Sequence, residues 1–564
     1  MTANNGQDNY ILGLSIGSHD SSAALFRNGV LLCMGEEERF SRNKRSYEEP
    51  PHQSIRYCLD FAGITLDDIQ AVGLGTDYSL KNKWKGFTKE ELAAYPERDD
   101  PERNFPSRLF PRKKMPPLIP IRHHLAHAAS AYRLSGFQKA AILVVDNQGE
   151  DNSTSLYLGE NGNISLLEEH GVEVSLGLYY RTAAQFAGLA GKLKQVGKFM
   201  GLAAYGRPNQ EVPLRIAEGA PVLQGLPGIP EMRGAELPAF ISEQLFRFFR
   251  ENCFPHSPAL EAEVMAYANF AASVQQSLEE ALLGLCRRLK ELTGCDRLVM
   301  AGGVALNCSA NGVLANAGIF DELFVQPAAH DAGVAIGAAA ELHHMLNGNG
   351  TNDAFSMQHA YWGKEFKQEE INDALKAAGL DFRLLDEDEL AEEVAKLLSK
   401  DKIVAWFQGR AEIGPRALGA RSIIGNPAKR ESLVRINAVK TREVWRPLSP
   451  SVLEEQFDEF FISRHASPFM IVAAQVRPEK IRQVPAVVHV DGSARPQAVS
   501  KATNPRYWKM ISAFYRQTGI PLVINTSFNG NKEPIVHTPE NAIRHLVENN
   551  IDALAIGNAL VLKP

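Results

Sequence analysis

The chain is poor in cysteine. Six of its 564 residues are Cys (Cys33, Cys58, Cys253, Cys286, Cys295 and Cys308), no two form a CxxC pair, and none lies in the C-terminal 256 residues. That excludes a disulfide framework and a cysteine zinc site, and it suits a reducing compartment. Long apolar runs are absent as well: none approaches the roughly 18 residues a membrane helix needs. The first eight residues are polar, without the charged-then-apolar order of a secretion signal. The expected location is cytoplasmic, with no membrane partner. Excess positive charge is also missing. Sixty Lys and Arg against 66 Asp and Glu leave a net −6, which argues against nucleic acid as a partner.

What is present is globular, with 45% hydrophobic and 22% charged residues. At about 150 residues per domain the length allows two large domains or three ordinary ones. The average charge hides a local reversal. From Arg410 to Arg446 there are nine Lys or Arg and three Asp or Glu, a net +6 in 37 residues.

The pattern along the chain is α/β. Residues 10–16, 22–26 and 30–34 read as strands, with Asn28-Gly29 as a hairpin signal. Residues 140–145 and 154–158 repeat that unit, again with an acidic turn after the first strand and an Asn-Gly at 161–162, so an internal duplication is expected. A long helix is expected over 259–292 from the period of Val264, Tyr267, Phe270, Val274, Leu278, Leu282 and Leu285. Residues 347–352, Asn-Gly-Asn-Gly-Thr-Asn, read as a linker. Helices near 367–378 and 387–399 and strands at 403–407 and 522–525 follow, and Thr538-Pro539 reads as the cap and first position of the last helix. Two domains are expected, 1–360 and 361–564.

Four motifs carry chemistry. His123 and His127 are four apart, so on a helix they share a face and can chelate one ion. The residue after the first histidine is His124, not the Glu a zinc peptidase needs. Asp146, ending a strand, and Asp331, starting a helix, would complete a mixed N/O site suited to iron, manganese or zinc. A satisfied histidine pair, a turn Asp and an N-cap are the plainer readings of the same residues. Gly302-Gly303, between a strand and a helix, fits a phosphate-approaching turn or an ordinary tight one. The basic window sets Arg416, Arg421, Lys440, Arg442 and Arg446 among Gly, Pro and Trp, with Arg495, Asn525 and Ser527 further on. It fits a polyphosphate pocket, against the plainer reading of a solvated face. His19-Asp20 lies in the first turn, where a histidine can serve as general base or simply stand in a turn.

Taken together, His19-Asp20-x-Ser-Ala-Ala24, Glu36-Glu-Glu-Arg-Phe40, His123-His-Leu-Ala-His-Ala-Ala-Ser-Ala-Tyr132, Val145-Asp-x-Gln-Gly-Glu150, Lys198-Phe-Met-Gly-Leu-Ala-Ala204, Ala301-Gly-Gly-Val304 with Asn307, Gly414-Pro-Arg-Ala-Leu-Gly419, Trp445-Arg-Pro447, Arg495-Pro-Gln497, Asn504-Pro-Arg-Tyr507 and Asn525-Thr-Ser-Phe-Asn529 resemble the O-carbamoyltransferases of antibiotic and nodulation-factor biosynthesis, the NodU/CmcH family. The segments run in order over nearly the whole chain.

The resemblance implies an N-terminal module similar to the tRNA threonylcarbamoyl transferase, with the duplicated actin and sugar-kinase ATPase fold, and a C-terminal α/β module similar to the YrdC-like enzymes. It implies that carbamoyl phosphate and ATP, with Mg²⁺, give a carbamoyl-adenylate in the C-terminal module. The N-terminal module would pass the carbamoyl group to a hydroxylated small-molecule acceptor. His123, His127, Asp146 and Asp331 would hold a divalent metal, iron by the resemblance. Lys44, Asp146, Ser175, Gly303 and Asn307 would contact the adenylate, and Arg416, Lys440, Arg446, Arg495, Asn525 and Ser527 would bind ATP or carbamoyl phosphate. His19, Lys440 and Arg416 would be catalytic. Residues 75–115 and 205–260 match the family poorly and are expected to select the acceptor. A homodimer stays open. The alternatives are a tRNA threonylcarbamoylation-type enzyme and a small-molecule kinase of the same ATPase fold. The first would want a broad basic face, and the second leaves the last 180 or so residues without a task.

Overall fold

The computed structural model describes residues 8–86, 98–189, 196–226, 234, 236–253, 264–348 and 355–563. Apolar strands begin the chain, separated by turns rich in Asp, Asn and Gly. Tyr10–Ser15 (β1), Ser22–Arg27 (β2) and Val30–Glu36 (β3) pair antiparallel. Ile69–Leu74 (β4) and Leu118–Pro120 (β5) extend the sheet in parallel from the other edge of β1, giving the order β3-β2-β1-β4-β5.

Lys139–Val145 (β6), Asn152–Glu160 (β7) and Asn163–Gly171 (β8) pair antiparallel in the same way. After a two-stranded ribbon, Leu214–Ala217 (β9) and Ala220–Leu223 (β10), the strands Arg297–Ala301 (β11) and Glu322–Val325 (β12) join β6 in parallel, giving β8-β7-β6-β11-β12. Strand order and strand direction are the same in both sheets. The hairpins agree too: φ is 52° and 82° at Asn28-Gly29 and 51° and 81° at Asn161-Gly162, the left-handed pair that a type I′ turn requires. The expected duplication is therefore borne out, and this part of the chain has the duplicated fold of the actin and sugar-kinase ATPases.

The core explains the strand compositions. In β6 every residue after Lys139 is buried, the continuous apolar run of a strand covered on both faces. The helices His123–Ser135 and Val334–Asn347 pack on each other between the sheets, the second against β1, β2 and β4 and the first against β6 and β11. Their approach is close enough that a Cβ at Gly337 would sit 1.7 Å from the Ala126 carbonyl oxygen, so only glycine fits there.

The long helix differs from expectation at its start. It spans Ala268–Thr293, ending at Gly294 with φ 60°, and Met265–Tyr267 is a separate 3₁₀ turn. Tyr267 kept the apolar period across that break, because its ring is buried all the same. The expected start at 259 lies outside the described residues, as does most of the expected linker.

The C-terminal region is a second α/β unit. Arg383–Leu384 (β13), Val404–Phe407 (β14), Arg421–Gly425 (β15), Ser449–Leu453 (β16), Gln497–Val499, Leu522–Ser527, Ala553–Ile556 and Ala559–Leu562 form one mixed eight-stranded sheet. Helices Gln368–Ala377, Glu387–Ser399, Pro505–Thr518 and Pro539–Glu548 accompany it. The last begins as expected, with the Thr538 side chain accepting from the Asn541 amide and Pro539 in the first turn.

The two regions are stitched together. Arg39 donates to the Gly414 carbonyl and the Gly414 amide to Glu36 (2.7 and 2.8 Å), while Arg410 reaches the Leu32 carbonyl (3.0 Å). Among the described residues no helix is long and apolar enough to cross a membrane.

Candidate active site between the two α/β regions

Loops at the carboxyl ends of β1, β4, β6 and β11 converge, the position at which α/β sheets hold ligands. His123 opens the helix His123–Ser135, Asp146 follows β6, and Asp331 opens a 3₁₀ turn leading into Val334–Asn347. One ligand atom from each of His123, His127, Asp146 and Asp331 lies within 4.8 Å of the others, and all but Asp331 are buried. His123 Nε2 is 3.6 Å from Asp146 Oδ2 and 3.8 Å from Asp331 Oδ1, and His127 Nε2 is 3.9 and 4.0 Å from the same atoms. Asp331 is not a helix cap, since its turn begins at His330 without a side-chain cap.

The donors fit a divalent ion. The two Nε2 atoms are 3.2 Å apart, so two neutral imidazoles turn lone pairs on each other unless a proton or a cation lies between. His123 Nδ1 lies 3.0 Å from the Gly75 carbonyl, which takes the Nδ1 proton and turns the Nε2 lone pair inward, the usual support of a metal-ligating histidine. Burial pushes His123 down, yet Asp146 and Asp331 hold it up to about 9. Burial and the charge on His123 push His127 down to about 4. Burial likewise favours the neutral form of Asp146, but the histidines hold its carboxyl below the usual range. One proton on the pair thus stands where a cation is expected to sit.

His19 stands beside this cluster. Its Nδ1 is 3.0 Å from Asp20 Oδ2 and 3.5 Å from Asp331 Oδ2. Arg45 donates to Asp20 at 2.6 Å. Burial of Asp20 is outweighed by His19 and Arg45, which keep its carboxyl ionised.

The remaining residues of this region are tied into local structure. The Ser175 hydroxyl caps the helix Leu176–Phe186 and donates to the Asn147 carbonyl (2.7 Å). Asn307 caps Cys308–Asn316 and exchanges hydrogen bonds with Gln275 (3.0 and 3.1 Å). The Gly303 amide donates to Asp146 Oδ1 at 3.0 Å. Gly302 makes that possible with φ 91°, where a Cβ would lie 2.3 Å from the Val145 carbonyl oxygen. Gly302→Ala is expected to cost on the order of 3 kcal/mol in chemical denaturation and to lower metal affinity, since the Asp146 carboxylate loses its amide.

The basic window divides into two sets. Arg421 is fully buried in β15, where its guanidinium donates to the carbonyls of Gln408, Gly409, Ala420 and Lys364 and lies over the Phe407 ring. Arg410 is spent on backbone carbonyls, Lys429 pairs with Asp401, and Arg435 with Asp552. Arg416, Lys440, Arg442 and Arg446 gather with Arg495 and Lys44.

Burial and mutual repulsion act on this second set. Burial, then Arg495 and Arg446, push Arg416 down to about 9. Burial and neighbouring cations also lower Arg442 and Lys440 well below their usual values. Arg416 Nε and Arg442 Nη2 are buried donors with no partner among the described residues. Cations crowded in this way await an anion.

Within the cluster, Arg495 donates to Ser449 Oγ (2.9 Å), and Asn525 donates to Ala417 O, Ser451 Oγ and Gln497 Oε1. Lys440 Nζ binds Ser527 and Asn529 through both backbone and side-chain oxygens. Lys44 Nζ donates to the Glu533 carbonyl at 3.1 Å, which places it in this cluster. Arg416 Nη2 reaches the Leu306 carbonyl at 3.2 Å, so the cation cluster abuts the Gly303–Leu306 turn of the first site.

Several further residues of both sites are not among the expected site residues. Glu150 Oε1 accepts from the amides of Asp77 and His123 (2.9 and 2.8 Å) and so fixes the start of the histidine helix. Lys81 faces Glu150, Asp331 and Asp146. Arg181 faces Arg45 and Asp146 with a buried Nε that has no partner among the described residues. Arg442, next to the expected Lys440, is visible in sequence as one more arginine of the window, but its unpaired donor is not.

Comparison with known proteins bears on this pair of sites. The carbamoyltransferase N-terminus model matches residues 10–340 and the carbamoyltransferase C-terminus model residues 395–563. The nodulation protein NolNO of Sinorhizobium fredii is 35% identical over 561 residues, covering 97% of this chain and 79% of that protein. The 3'-hydroxymethylcephem-O-carbamoyltransferase of Streptomyces clavuligerus is 31% identical over 369 residues, covering 65% of this chain and 64% of its own. Among solved structures, component A of the Acidaminococcus fermentans (R)-2-hydroxyglutaryl-CoA dehydratase aligns with 60% of this chain and 98% of its own at 15% identity and a TM-score of 0.32. With both halves matched in order, the chain belongs to the carbamoyltransferase family.

Proposed function

We propose that the chain is an ATP-dependent O-carbamoyltransferase that works in two steps at two sites. In residues 361–564, water splits carbamoyl phosphate into carbamate and phosphate, and the carbamate oxygen then attacks the α-phosphorus of ATP, with Mg²⁺, forming carbamoyl-AMP and releasing pyrophosphate. In residues 1–360, the carbamoyl group passes to a hydroxyl of a small-molecule natural product, such as an antibiotic, toxin or glycoside, and AMP leaves. The observation that carries this reading is the contact of two unlike clusters: crowded cations, two of them with buried donors that no described residue satisfies, abut the turn that leads to a His/Asp cluster with a histidine beside it.

Each residue has a task in that scheme. Arg416, Arg442, Arg446 and Arg495 hold the phosphates and offset charge that builds on the leaving pyrophosphate. Lys440 fixes the Ser527–Asn529 segment at the floor of the pocket. Adenylation matters because a carbamoyl nitrogen donates into its carbonyl and weakens it as an electrophile.

At the second site, His19 donates Nδ1–H to Asp20, and Nε2 is then free to take the acceptor hydroxyl proton, a contribution of about 10²–10⁴ in rate. Asp20, kept ionised by Arg45, orients the ring and stabilises its cationic form. His123, His127, Asp146 and Asp331 would hold a divalent ion, iron by family resemblance, which supplies Lewis-acid charge when bound.

The test is a product assay. ATP and carbamoyl phosphate together are expected to yield AMP and pyrophosphate, and neither does so alone. ADP in place of AMP overturns the reading in favour of a kinase. A mass screen of hydroxylated metabolites then looks for a gain of about 43 Da, the mass of a carbamoyl group replacing hydrogen.

A further inference from the structure

The cation cluster has one carboxylate that faces it with an oxygen to spare. Glu443 lies between Arg442 and Arg446; its Oε2 is 3.8 Å from Arg446 Nη1 and is buried with no hydrogen-bond partner among the described residues. Its other oxygen is held in a close ion pair by Lys198, which comes from the N-terminal region, 245 residues away. Both side chains are mostly buried. Glu533 also faces the cluster, but it is occupied: His545 Nε2 and the Gly530 amide hold Oε1 (both 2.7 Å), and Arg544 holds Oε2 (3.1 Å).

We propose that Lys198 is a positioning residue for the anion site: by pairing with Glu443 Oε1 it keeps Oε2 short of hydrogen-bond contact with Arg446, 3.8 Å away, so that the guanidinium donors of Arg442 and Arg446 are left for a substrate phosphate. The proposal rests on the reading that this cluster binds carbamoyl phosphate and ATP. A carboxylate released beside two guanidiniums closes on them, and it competes with the substrate as an internal anion.

The lysine sits on the helix Gly197–Ala203, which is seated on the C-terminal region. Tyr205 donates to the Trp445 carbonyl (3.0 Å), and His489 Nε2 donates to the Gly201 carbonyl (2.9 Å). The same helix carries Met200, whose sulfur is 3.7 Å from Cys308 Sγ, next to Asn307. The guanidinium donors of the anion site are therefore left open while this helix is docked, and the helix that docks also touches the Asn307 segment.

The experiment compares Lys198→Met, Glu443→Gln and the double variant. Each is measured for the KM of carbamoyl phosphate and for kcat in acceptor-free pyrophosphate release, and for the Kd of inorganic pyrophosphate by calorimetry. Thermal melting checks that each variant folds. Lys198→Met is expected to raise KM and Kd about tenfold with kcat within about twofold, a size typical of one close charge pair. Adding Glu443→Gln is expected to bring both back to within about twofold of wild type. A double variant as weak as Lys198→Met, or weaker, overturns the proposal, because a merely structural ion pair is not repaired by removing its second partner. The calorimetric arm separates the two readings. If wild type releases no pyrophosphate from ATP and carbamoyl phosphate, the proposed reaction falls. Loss and rescue of pyrophosphate binding then still decide the role of Lys198.

Discussion

His123→Ala is expected to abolish carbamoyl transfer, by about 10³-fold or more, while acceptor-free release of AMP and pyrophosphate from ATP and carbamoyl phosphate continues near the wild-type rate. Metal content, measured by elemental analysis, should fall in parallel. The fold is expected to tolerate the change. His123 is the first residue of its helix, alanine is the best helix former, and the Glu150 carboxylate that anchors this helix start binds the backbone amide of residue 123, not its ring. Removing the ring takes away one ligand and leaves His127, Asp146 and Asp331 with a site open on the Gly75 side. Equal loss of the first step and the transfer step would sink the division into two sites.

Arg416→Gln is expected to do the reverse, cutting carbamoyl-adenylate formation by about 10²–10³, the usual loss when a preorganised electrostatic donor is removed. Metal content should stay at the wild-type level. Stability supplies a second readout. Arg416 is held down to about 9 by burial and by Arg495 and Arg446, so its charge is unfavourable in the folded chain. Its loss is expected to leave the melting temperature unchanged or raise it, as in other sites that trade stability for function. A fall in melting temperature that matches the loss of activity would mean that Arg416 holds the regions together through Leu306 and does no more.

The parts of this molecule that were legible in the sequence are those in which local pattern decides the outcome. The two Asn-Gly hairpins, the continuous apolar run of β6 and the Thr538-Pro539 helix start all follow from neighbours within a few residues. The spacing of His123 and His127 follows from the helix period. The basic window shows where that logic stops. Arg416 and Arg421 are five residues apart and look alike in sequence, but Arg421 is enclosed by four backbone carbonyls and Arg416 keeps a free donor. Which carbonyls meet which guanidinium depends on how distant segments pack. Lys81 and Arg181, and the role of Glu150 within its motif, escaped notice for the same reason, since their partners lie in other loops. The 3₁₀ turn at Met265–Tyr267 was hidden because Tyr267 is buried whether or not the helix is continuous there.

The repeated sheet order has an evolutionary reading. His19-Asp20 and Asp146 occupy the same place in the two copies, the turn between the first and second strands. His123 and Asp331 also correspond, each following the fifth strand of its copy, His123 as the first residue of the next helix and Asp331 in the 3₁₀ turn just before it. The four loops are therefore two equivalent pairs. A symmetric dimer of half-length chains is bound to present equal residues to both sides of its axis. Once the copies were joined in one polypeptide, the twin turns were free to diverge: under the proposed function one supplies a proton acceptor and the other a metal ligand, so that a substrate between them would meet different chemistry on its two flanks.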